Sequence, residues 1–246
     1  MILEADLGNS RIKWRLRDAE QLLASSVTED LASFLLQSNK QVLAQNLPLA
    51  RFCCVSVRSQ SANEELAGEC EALWGVSPEF ARAEALLAGV VNGYESPLDL
   101  GADRWLAVVA AYSRLAKSCV VVDAGSAITV DLVSDQGRHL GGYIAPGLQL
   151  MRRSLGMTAG VRVSAESGIW DSAPGRSTQA AVTAALSAMV SGLIDEGIHQ
   201  LEVKGAPAPE LVLTGGDASW LKTRYPAAHY WPDLVLDGLA IAMPGS

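Results

Sequence analysis

The chain has 246 residues, of which 49% are hydrophobic and 19% are charged, and its formal net charge at pH 7 is −8. This composition predicts a globular protein that buries a sizeable core, as one large domain or two small ones. The acidic balance argues against a nucleic-acid partner, because a broad nucleic-acid surface needs cations to neutralise phosphates. A local basic cluster can still bind a small anion.

The N-terminal residues have neither the basic region nor the apolar region of a signal peptide, and no apolar run approaches the roughly 20 residues that span a bilayer. The four cysteines are Cys53, Cys54, Cys70 and Cys119. None of their spacings is typical of a metal site, so we interpret them as buried thiols in a reducing compartment. We therefore expect a cytoplasmic protein with no membrane partner.

The first predicted element is an apolar strand that ends in Asp6-Leu7-Gly8-Asn9-Ser10. Glycine lets backbone N–H groups approach anionic oxygens, so this acidic turn suits a metal ion and a phosphate chain, although an ordinary β-turn uses the same residues. Residues 11–17 alternate strictly between basic and apolar, which predicts the second strand of a hairpin. Lys13, nearest the turn, is the phosphate candidate, whereas Arg15 and Arg17 are expected to be solvated.

The next elements alternate between helix and strand. Residues 28–47 are predicted to be helical with Thr28 as N-cap, residues 51–57 to form a strand, and residues 61–74 to form a helix. This order indicates an α/β layer. The long stretch 89–105 is irregular and contains several glycines, and loops of this length in compact domains are often functional.

This loop ends in Gly101-Ala102-Asp103-Arg104, just before an apolar helix that runs from Trp105 to Leu115. Asp103 and Arg104 are therefore expected in the first helical turn. An acid in that position offsets the helix dipole and needs no other role, whereas a cation there is unfavourable. We therefore expect Arg104 to have an anionic partner of its own.

A second copy of the opening pattern follows in Cys119-Val-Val-Val-Asp123-Ala-Gly125-Ser126. The strand, the acid, the glycine and the small polar residue recur in order, with Asp123 in the place of Asp6, and another strand follows directly. Two such hairpins predict two related half-domains, residues 1–116 and residues 117–246, which face each other across a cleft.

The remaining predicted elements are a strand at 138–145, a helix through 151–155, a loop at 157–176, a helix at about 178–199, a strand at 210–214 and a helix at about 234–243. Ser177 or Thr178 is a natural N-cap for the long helix. The strand at 210–214 runs into Gly215-Gly216, where the backbone can approach a flat ring or a phosphate closely.

Together these turns have the ingredients of an ATP site, which needs carboxylates for Mg²⁺ and backbone donors for phosphates. We expect Asp6, Asp123 and Asp131 at the ends or turns of strands beside one cleft. The P-loop sequence is absent from the chain. The pattern resembles the superfamily of acetate and sugar kinases, heat-shock chaperone ATPases and actin. That resemblance implies an actin-like ATPase fold, in which two ribonuclease-H-like halves, each an α/β unit with a mixed sheet flanked by helices, enclose an ATP cleft.

Within that superfamily, four motifs in order resemble those of the bacterial type III pantothenate kinases over essentially the whole chain. The motifs are the first phosphate motif Asp6-x-Gly8-Asn9-Ser10-x-x-Lys13-Trp14, the pantothenate motif Asn92-Gly93-Tyr94 with Gly101-Ala102-Asp103-Arg104-Trp105, the second phosphate motif Asp123-x-Gly125-Ser126-Ala127-x-Thr129-x-Asp131, and the adenosine motif Leu213-Thr214-Gly215-Gly216-Asp217-Ala218. The resemblance implies a homodimeric transferase that phosphorylates pantothenate to 4′-phosphopantothenate, the first step of coenzyme A biosynthesis.

The resemblance also implies a role for each matching residue. Asp103 would be the general base for the pantothenate hydroxyl, and Arg104 would pair with the pantothenate carboxylate. The other substrate contacts would come from Tyr94, Gly101, Ala102 and Thr178. ATP would be bound by Asp6, Gly8, Asn9, Ser10, Lys13, Ser126, Gly215 and Gly216. Asp123 would hold a monovalent cation, K⁺ or NH₄⁺, and Asp6 would organise Mg²⁺, directly or through water.

Two departures and two alternatives accompany this interpretation. Ser126 stands where the family usually has Thr, and the helix after Thr178 lacks a glycine that is common there. One alternative is a non-catalytic regulator of the same fold, which would be free to lose Asp103 or Arg104, yet the chain retains both. The other is a related kinase for a sugar or acetate, but Tyr94 with Arg104 favours a substrate that carries a carboxylate.

Overall fold

The computed structural model describes residues 1–159, 173–206 and 208–245, which form two compact units. Unit 1 comprises Met1–Ala88, Glu95–Ala110 and Leu234–Ser246. Unit 2 comprises Gly89–Tyr94 and Ala111–Asp233. The chain therefore contributes more than one segment to each unit, and its C-terminal segment belongs to the unit that contains the N-terminus.

The described residues form twelve strands and seven helices. The strands are β1 (Ile2–Leu7), β2 (Ile12–Asp18), β3 (Gln21–Thr28), β4 (Arg51–Ser56), β5 (Pro78–Phe80), β6 (Leu86–Leu87), β7 (Val90–Val91), β8 (Cys119–Ala124), β9 (Ala127–Val133), β10 (His139–Pro146), β11 (Glu210–Thr214) and β12 (His229–Tyr230). The helices are α1 (Leu31–Ala44), α2 (Gln60–Trp74), α3 (Ala102–Leu115), α4 (Leu148–Ala159), α5 (Thr178–Val203), α6 (Ala218–Arg224) and α7 (Leu234–Ala242). A short 3₁₀ helix covers Pro97–Asp99.

The two units contain five-stranded mixed sheets with the same topology. The order is β3-β2-β1-β4-β5 in unit 1 and β10-β9-β8-β11-β12 in unit 2. In each sheet, in this order, the first and second strands and the second and third strands pair antiparallel. The third, fourth and fifth strands are parallel to one another. Asp6 and Asp123 are each the fifth residue of the six-residue central strand, β1 or β8. The internal repeat in the sequence therefore corresponds to a repeated sheet.

Aromatic side chains form much of the unit 1 core. Trp14 of β2 lies edge-on to Phe34 of α1, with ring centroids 6.4 Å apart, and Phe52 of β4 lies 5.9 Å beyond Phe34. Trp74 at the end of α2 contacts Phe52 at 6.1 Å. Offset and edge-on pairs at these distances add to the stabilisation from apolar burial. The apolar face of the alternating strand β2 therefore packs against α1, as its period of two predicts.

In unit 2, helix α5 packs against β8 and β9. Gly197 sits where a Cβ would lie 3.0 Å from Val130, and the apolar side chains Leu186, Val190, Ile194 and Leu201 are buried. By length and hydropathy alone α5 could cross a membrane, so the prediction that no stretch has these properties is wrong for this helix. This is only a weak indication of a membrane span, because the core helices of soluble proteins share both properties.

Two sequence predictions near the first helix are wrong. Residues 21–28 form the edge strand β3, which we did not predict because its small polar residues lack clear alternation. Thr28 ends that strand and is buried, so it does not cap α1. The N-cap is Asp30, whose Oδ1 accepts a hydrogen bond from the Ser33 backbone N–H at 2.7 Å.

Arg15 and Arg17 are not solvated, contrary to the prediction. Both guanidinium groups bind the carboxylate of Glu4, which is only 1% exposed, and Arg15 also contacts Asp237 of α7 at 2.8 Å. Each arginine is half-buried, because Glu4 lies beside both and the C-terminal helix α7 contacts Arg15. The alternation identified the face correctly but not its burial.

The other element predictions were largely confirmed. Helix α3 begins three residues earlier than Trp105, which places Asp103 and Arg104 in its first turn as expected. Ser177 caps α5, accepting a hydrogen bond from the Ala180 backbone N–H. Of the predicted loop at 157–176, residues up to Ala159 belong to α4, and residues 160–172 lie outside the described part of the chain. All four cysteines are buried free thiols, as predicted.

Candidate active site

The first phosphate motif of unit 1 lies at the turn between β1 and β2. Asp6 and Lys13 are directly opposite each other in the hairpin, and both are half-buried. The loop from Gly8 to Arg11 connects the strands, and within it Asn9 and Ser10 are exposed. Gly8 allows a tight turn, since a Cβ there would lie 2.9 Å from the carbonyl oxygen of Arg11. The motif therefore presents a carboxylate, an ammonium group and exposed backbone at one strand end.

Arg58 holds this turn from the loop that follows β4. Its Nε and Nη2 groups donate hydrogen bonds to the Gly8 carbonyl oxygen at 3.3 and 3.2 Å. The loop is itself ordered, because Ser56 Oγ accepts from the Arg58 backbone N–H and donates to Asn63. Sequence reasoning missed Arg58. No local motif marks it, and only the parallel pairing of β1 with β4 brings it beside Gly8.

The proposed base and its neighbour occupy the start of α3. The Gly101 carbonyl accepts the first helical hydrogen bond, from Trp105 N at 2.9 Å, so Gly101 is the N-cap residue. Glycine has no side chain that could cap the helix. The Asp103 carboxylate instead accepts a hydrogen bond from a backbone N–H of the first turn, that of Arg104, with Oδ1 2.8 Å from Arg104 N. Asp103 is half-buried, and Arg104 is only 7% exposed.

A cavity of about 890 Å³ opens beside these residues within unit 1. Its lining includes Arg58, Asn63, Arg82, Gly101 and Ala102. The lining also includes the acids Glu64 and Asp99, so its two guanidinium groups are balanced in number, and the positive end of the α3 dipole at Gly101 and Ala102 is what favours an anionic group there. Arg58, which contacts the Gly8 turn, and the start of the Gly101–Arg104 motif therefore line one cavity.

The second phosphate motif and the Gly-Gly turn come together within unit 2. Strand β8 is parallel to β11, with Asp123 opposite Thr214. Gly215 follows with φ +94°, and a Cβ on it would overlap Asp123 Oδ1 and lie 2.5 Å from the Ala124 carbonyl oxygen. The same carbonyl accepts a hydrogen bond from Asp217 N at 2.8 Å. Only glycine leaves this oxygen-lined space open.

Ser126 lies at the exposed tip of the β8–β9 turn. Its carbonyl oxygen accepts a hydrogen bond from Gly147 N at 3.1 Å, and a Cβ on Gly147 would lie 2.5 Å from that oxygen. The Pro146-Gly147 turn therefore packs directly against the second phosphate motif. Thr178 is exposed at the first position of α5, beside the N-cap Ser177.

Tyr94 also belongs to unit 2, whereas Asp103 and Arg104 belong to unit 1. Its backbone N–H donates to Asn92 Oδ1 at 3.0 Å, and its ring stacks on the His139 imidazole with centroids 5.9 Å apart. Asp131, expected at a strand end, instead lies within β9, buried and hydrogen-bonded to His139 Nε2 at 2.9 Å. That prediction is wrong because β9 continues two residues beyond it.

The donor chemistry around the two motif carboxylates fits the implied cations. In the described ranges, no group of three or more His, Cys, Asp and Glu side chains could hold a metal ion by itself. Asp123 has a backbone carbonyl oxygen beside its carboxylate, and oxygen donors of this kind suit hard cations. One carboxylate such as that of Asp6 suits Mg²⁺, which keeps several waters and takes further ligands from phosphates.

A family model described as type III pantothenate kinase matches residues 2–200. The chain belongs to the type III pantothenate kinase family. A relative of that name from Pseudomonas aeruginosa is 40% identical over 249 residues, which are 99% of each chain. Another of that name, from Cellvibrio japonicus, is 39% identical over 245 residues, which are 98% of this chain and 96% of the relative. The resemblance predicted from the four motifs is confirmed.

Two solved structures share the fold. A protein described as a Baf family transcriptional activator from Campylobacter jejuni has TM-score 0.55 at 24% identity and covers 96% of this chain and 94% of its own. A protein described as a 2-dehydro-3-deoxygalactonokinase from Sinorhizobium meliloti has TM-score 0.55 at 13% identity, with 98% of both chains covered. At these identities the likeness concerns the fold alone, and it confirms the predicted α/β class and its actin-like fold.

Proposed function

We propose that this protein transfers the γ-phosphoryl group of ATP to the primary hydroxyl of pantothenate, giving 4′-phosphopantothenate and ADP. Family membership carries the proposal, since the family model covers residues 2–200 and the relatives match over nearly their full length. The reaction is the first step of coenzyme A biosynthesis. The oxygen-lined turns and the cavity beside α3 support it, because phosphoryl transfer depends mainly on positioning and charge stabilisation.

Asp103 is the proposed general base. The hydroxyl oxygen of pantothenate bonds to the γ-phosphorus, the bond from that phosphorus to the β,γ-bridging oxygen breaks, and ADP leaves. The hydroxyl proton passes to the Asp103 carboxylate. Its Oδ1 accepts a hydrogen bond from the Arg104 backbone N–H, and this backbone donor orients the carboxylate. This arrangement supports a rigidly held base at the start of a helix.

Arg104 is the proposed partner of the pantothenate carboxylate. It is nearly buried at the helix end where the backbone dipole is positive, so the local field favours a negative ligand. A guanidinium group also matches a carboxylate with two parallel hydrogen bonds. Gly101 and Ala102, which line the cavity, and Tyr94 and Thr178 are proposed to make the other substrate contacts.

The two glycine turns are the proposed ATP ligands. In unit 1 the phosphates would contact Asp6, Gly8, Asn9, Ser10 and Lys13, and in unit 2 they would contact Ser126. Gly215 and Gly216 would lie against the adenosine, since both lack a side chain that would keep the backbone away from a ring. When bound, Mg²⁺ held through Asp6 and K⁺ or NH₄⁺ at Asp123 would neutralise phosphate charge.

We further propose a cytoplasmic homodimer. Large apolar side chains are exposed on neighbouring elements of unit 2, with Ile144 of β10 66%, Leu150 of α4 55% and Met189 of α5 60% accessible. Exposed apolar side chains of this size support burial against a second copy of the chain. Light scattering coupled to size-exclusion chromatography would measure the mass, and a monomer at micromolar concentration would contradict the proposal.

A coupled ADP-release assay in potassium buffer, with and without pantothenate, tests the function. Wild-type protein should release ADP only with pantothenate, and mass spectrometry should detect phosphopantothenate. Asp103→Asn should lower kcat by at least about 10²-fold, the scale of a lost general base, while ATP still binds. Asp18→Asn is the matched control, because Asp18 is an exposed carboxylate of the same unit. Near-normal turnover in Asp103→Asn would refute the role of Asp103.

Arg104→Ala tests the substrate class in the same assay. It should raise the KM for pantothenate about 10²-fold with a smaller change in kcat, because it removes a ground-state carboxylate contact. Arg114→Ala, at an exposed position of the same helix, should leave both constants unchanged. ADP release that responds to a sugar or acetate but not to pantothenate would identify a related kinase instead. The absence of any kinase activity would instead support the alternative of a non-catalytic regulator with the same fold.

A further inference from the structure

An acid–imidazole pair is buried behind Tyr94 in unit 2. His139 Nε2 and Asp131 Oδ1 are 2.9 Å apart, and their side chains are 0% and 2% exposed. An ionised carboxylate only accepts hydrogen bonds, so Nε2 carries the hydrogen. Nδ1 of His139 is buried and has no hydrogen-bond partner among the described residues. Burying such a pair costs desolvation energy that an apolar pair of similar volume avoids.

The His139 side chain and backbone both contact the segment that carries Tyr94. The imidazole and the phenol ring are nearly parallel, at 19°, with centroids 5.9 Å apart. Gly93 lies so close to His139 that a Cβ on it would overlap the His139 carbonyl oxygen and lie 2.8 Å from the carbonyl carbon. On the other side of the peptide, Asn92 Oδ1 accepts from Tyr94 N. His139 thus contacts the tyrosine ring and the glycine before it, whereas Asn92 binds the tyrosine backbone.

We propose that His139 and Asp131 are positioning residues for substrate binding. Asp131 fixes the imidazole through Nε2, the imidazole fixes the Tyr94 ring, and the ring contacts pantothenate. Neither residue touches the reacting atoms. This inference rests on the proposed function for the identity of the ligand, but the link from Asp131 through His139 to Tyr94 stands on the contacts of unit 2 alone.

The chain provides an internal comparison. His229 Nε2 lies 3.2 Å from Glu210 Oε2, and its ring stacks on Trp231 at 4.9 Å. The chemical groups match those around His139, yet the side chains of His229 and Glu210 are 36% and 35% exposed. This pair lies at the opposite end of β11 from the Gly215 turn. Substitution of His229 therefore measures the effect of losing a histidine that contacts a carboxylate and an aromatic ring where no ligand is proposed to bind.

Steady-state kinetics of His139→Phe and His229→Phe test the proposal. Phenylalanine keeps an aromatic ring but removes the Nε2–H anchor, so His139→Phe should raise the KM for pantothenate about tenfold, equivalent to about 1.4 kcal/mol. Its kcat and its KM for ATP should stay within about twofold of wild type, since only ground-state binding is affected. His229→Phe should change none of these constants. An unchanged KM for pantothenate in His139→Phe would overturn the proposal.

A double-mutant cycle separates positioning from a general loss of packing. If His139 acts only through the phenol ring, His139→Phe should not raise the KM further in a Tyr94→Ala background. Independent, additive effects of the two changes would contradict the proposal. Should His139→Phe fail to fold, Asp131→Asn replaces it. An amide oxygen still accepts from Nε2–H without the charge, so a rise of about threefold is expected, and no rise would overturn the proposal.

A spectroscopic readout works even without enzymatic activity. Protein labelled with 3-fluorotyrosine should give five ¹⁹F resonances, one for each tyrosine, and Tyr94→Phe identifies that of Tyr94. His139→Phe should shift or broaden the Tyr94 resonance and leave that of Tyr225 in place, whereas His229→Phe should not affect Tyr94. An unchanged Tyr94 resonance in His139→Phe would refute positioning. Absence of pantothenate-dependent ADP release in wild type, with the shift present, would refute only the proposed function.

Discussion

The absence of a side chain at Gly101 leaves room for the proposed catalytic carboxylate. A Cβ at this position would lie 2.7 Å from Asp103 Oδ1 and 3.9 Å from Cδ of Arg104. Ordinary van der Waals contact begins near 3.4 Å, so in Gly101→Ala the carboxylate oxygen must move by roughly 0.7 Å. The obstacle is the end of a side chain and not backbone, so the fold can accommodate the methyl group.

This displacement should act on catalysis more than on stability. A misplacement approaching 1 Å can cost on the order of 10²-fold in rate, so kcat should fall by one to two orders of magnitude, about 1.4–2.7 kcal/mol. The KM for ATP should not change, since the glycine turns keep their geometry. Alanine is a poorer N-cap than glycine, so the free energy of unfolding should fall by only about 1 kcal/mol.

The assay is ADP release at saturating ATP and pantothenate, paired with urea denaturation. Gly68→Ala is the matched control. Gly68 is exposed within α2, and a Cβ there would have no atom of the described residues within 4 Å, apart from its chain neighbours and its own helix backbone. That control should keep full activity and gain about 1 kcal/mol of stability, because alanine is the better helix former. A Gly101→Ala enzyme with wild-type kcat would show that the position of Asp103 Oδ1 does not matter, and so would refute its role as base.

Three further predictions concern other parts of the molecule. Gly215→Ala should raise the potassium concentration needed for half-maximal activity, because its Cβ would overlap Asp123 Oδ1 at φ +94°, and potassium titration against a sodium baseline measures this. Arg58→Lys should raise the KM for ATP about threefold to tenfold, because one ammonium cannot replace both guanidinium bonds to the Gly8 carbonyl; an unchanged KM would contradict this role. Burial raises the pKa of the Cys119 thiol from about 9 to about 12, so the native state keeps a proton that the unfolded chain loses and stability falls as pH rises between these values. Cys119→Ala should lessen that fall by about 1.4 kcal/mol per pH unit in urea unfolding, and an unchanged slope would contradict it.

Patterns that repeat along the chain were predictable. The acid–glycine hairpins predicted a duplicated unit, and Asp6 and Asp123 do occupy equivalent positions of equivalent sheets. The start of α3 was also predictable, because Gly101 precedes an apolar helical stretch. Such features are encoded within about ten residues, where strand alternation, turn chemistry and capping act locally.

Residues that join the site from distant positions were not predictable. Arg58 reaches Gly8 across 50 residues, and His139 meets Tyr94 only when β10 lies beside the Asn92–Tyr94 segment. Neither has a motif of its own. A single histidine or arginine in a sequence is compatible with many roles, and only strand pairing decides which groups it meets. The edge strand β3 was not predicted for a related reason. Its residues pair with one neighbouring strand at the edge of the sheet but lack the alternation that is typical of a half-buried strand.

In the first hairpin, the buried charges of one face pair with each other, whereas the charges nearer the turn are those proposed to bind a ligand. Cross-strand pairing places Asp6 opposite Lys13 and Glu4 opposite Arg15, so on this face each acid of β1 lies opposite a base of β2. Glu4, almost fully buried, pairs with both Arg15 and Arg17, and Asp237 gives Arg15 a second carboxylate. Losing Glu4 would remove the carboxylate that pairs with Arg17, and breaking a buried pair of this kind costs about 3–5 kcal/mol. These two arginines are therefore already paired with carboxylates of unit 1. Any attraction that this strand exerts on a phosphate chain must come from Lys13 and the exposed backbone of the turn.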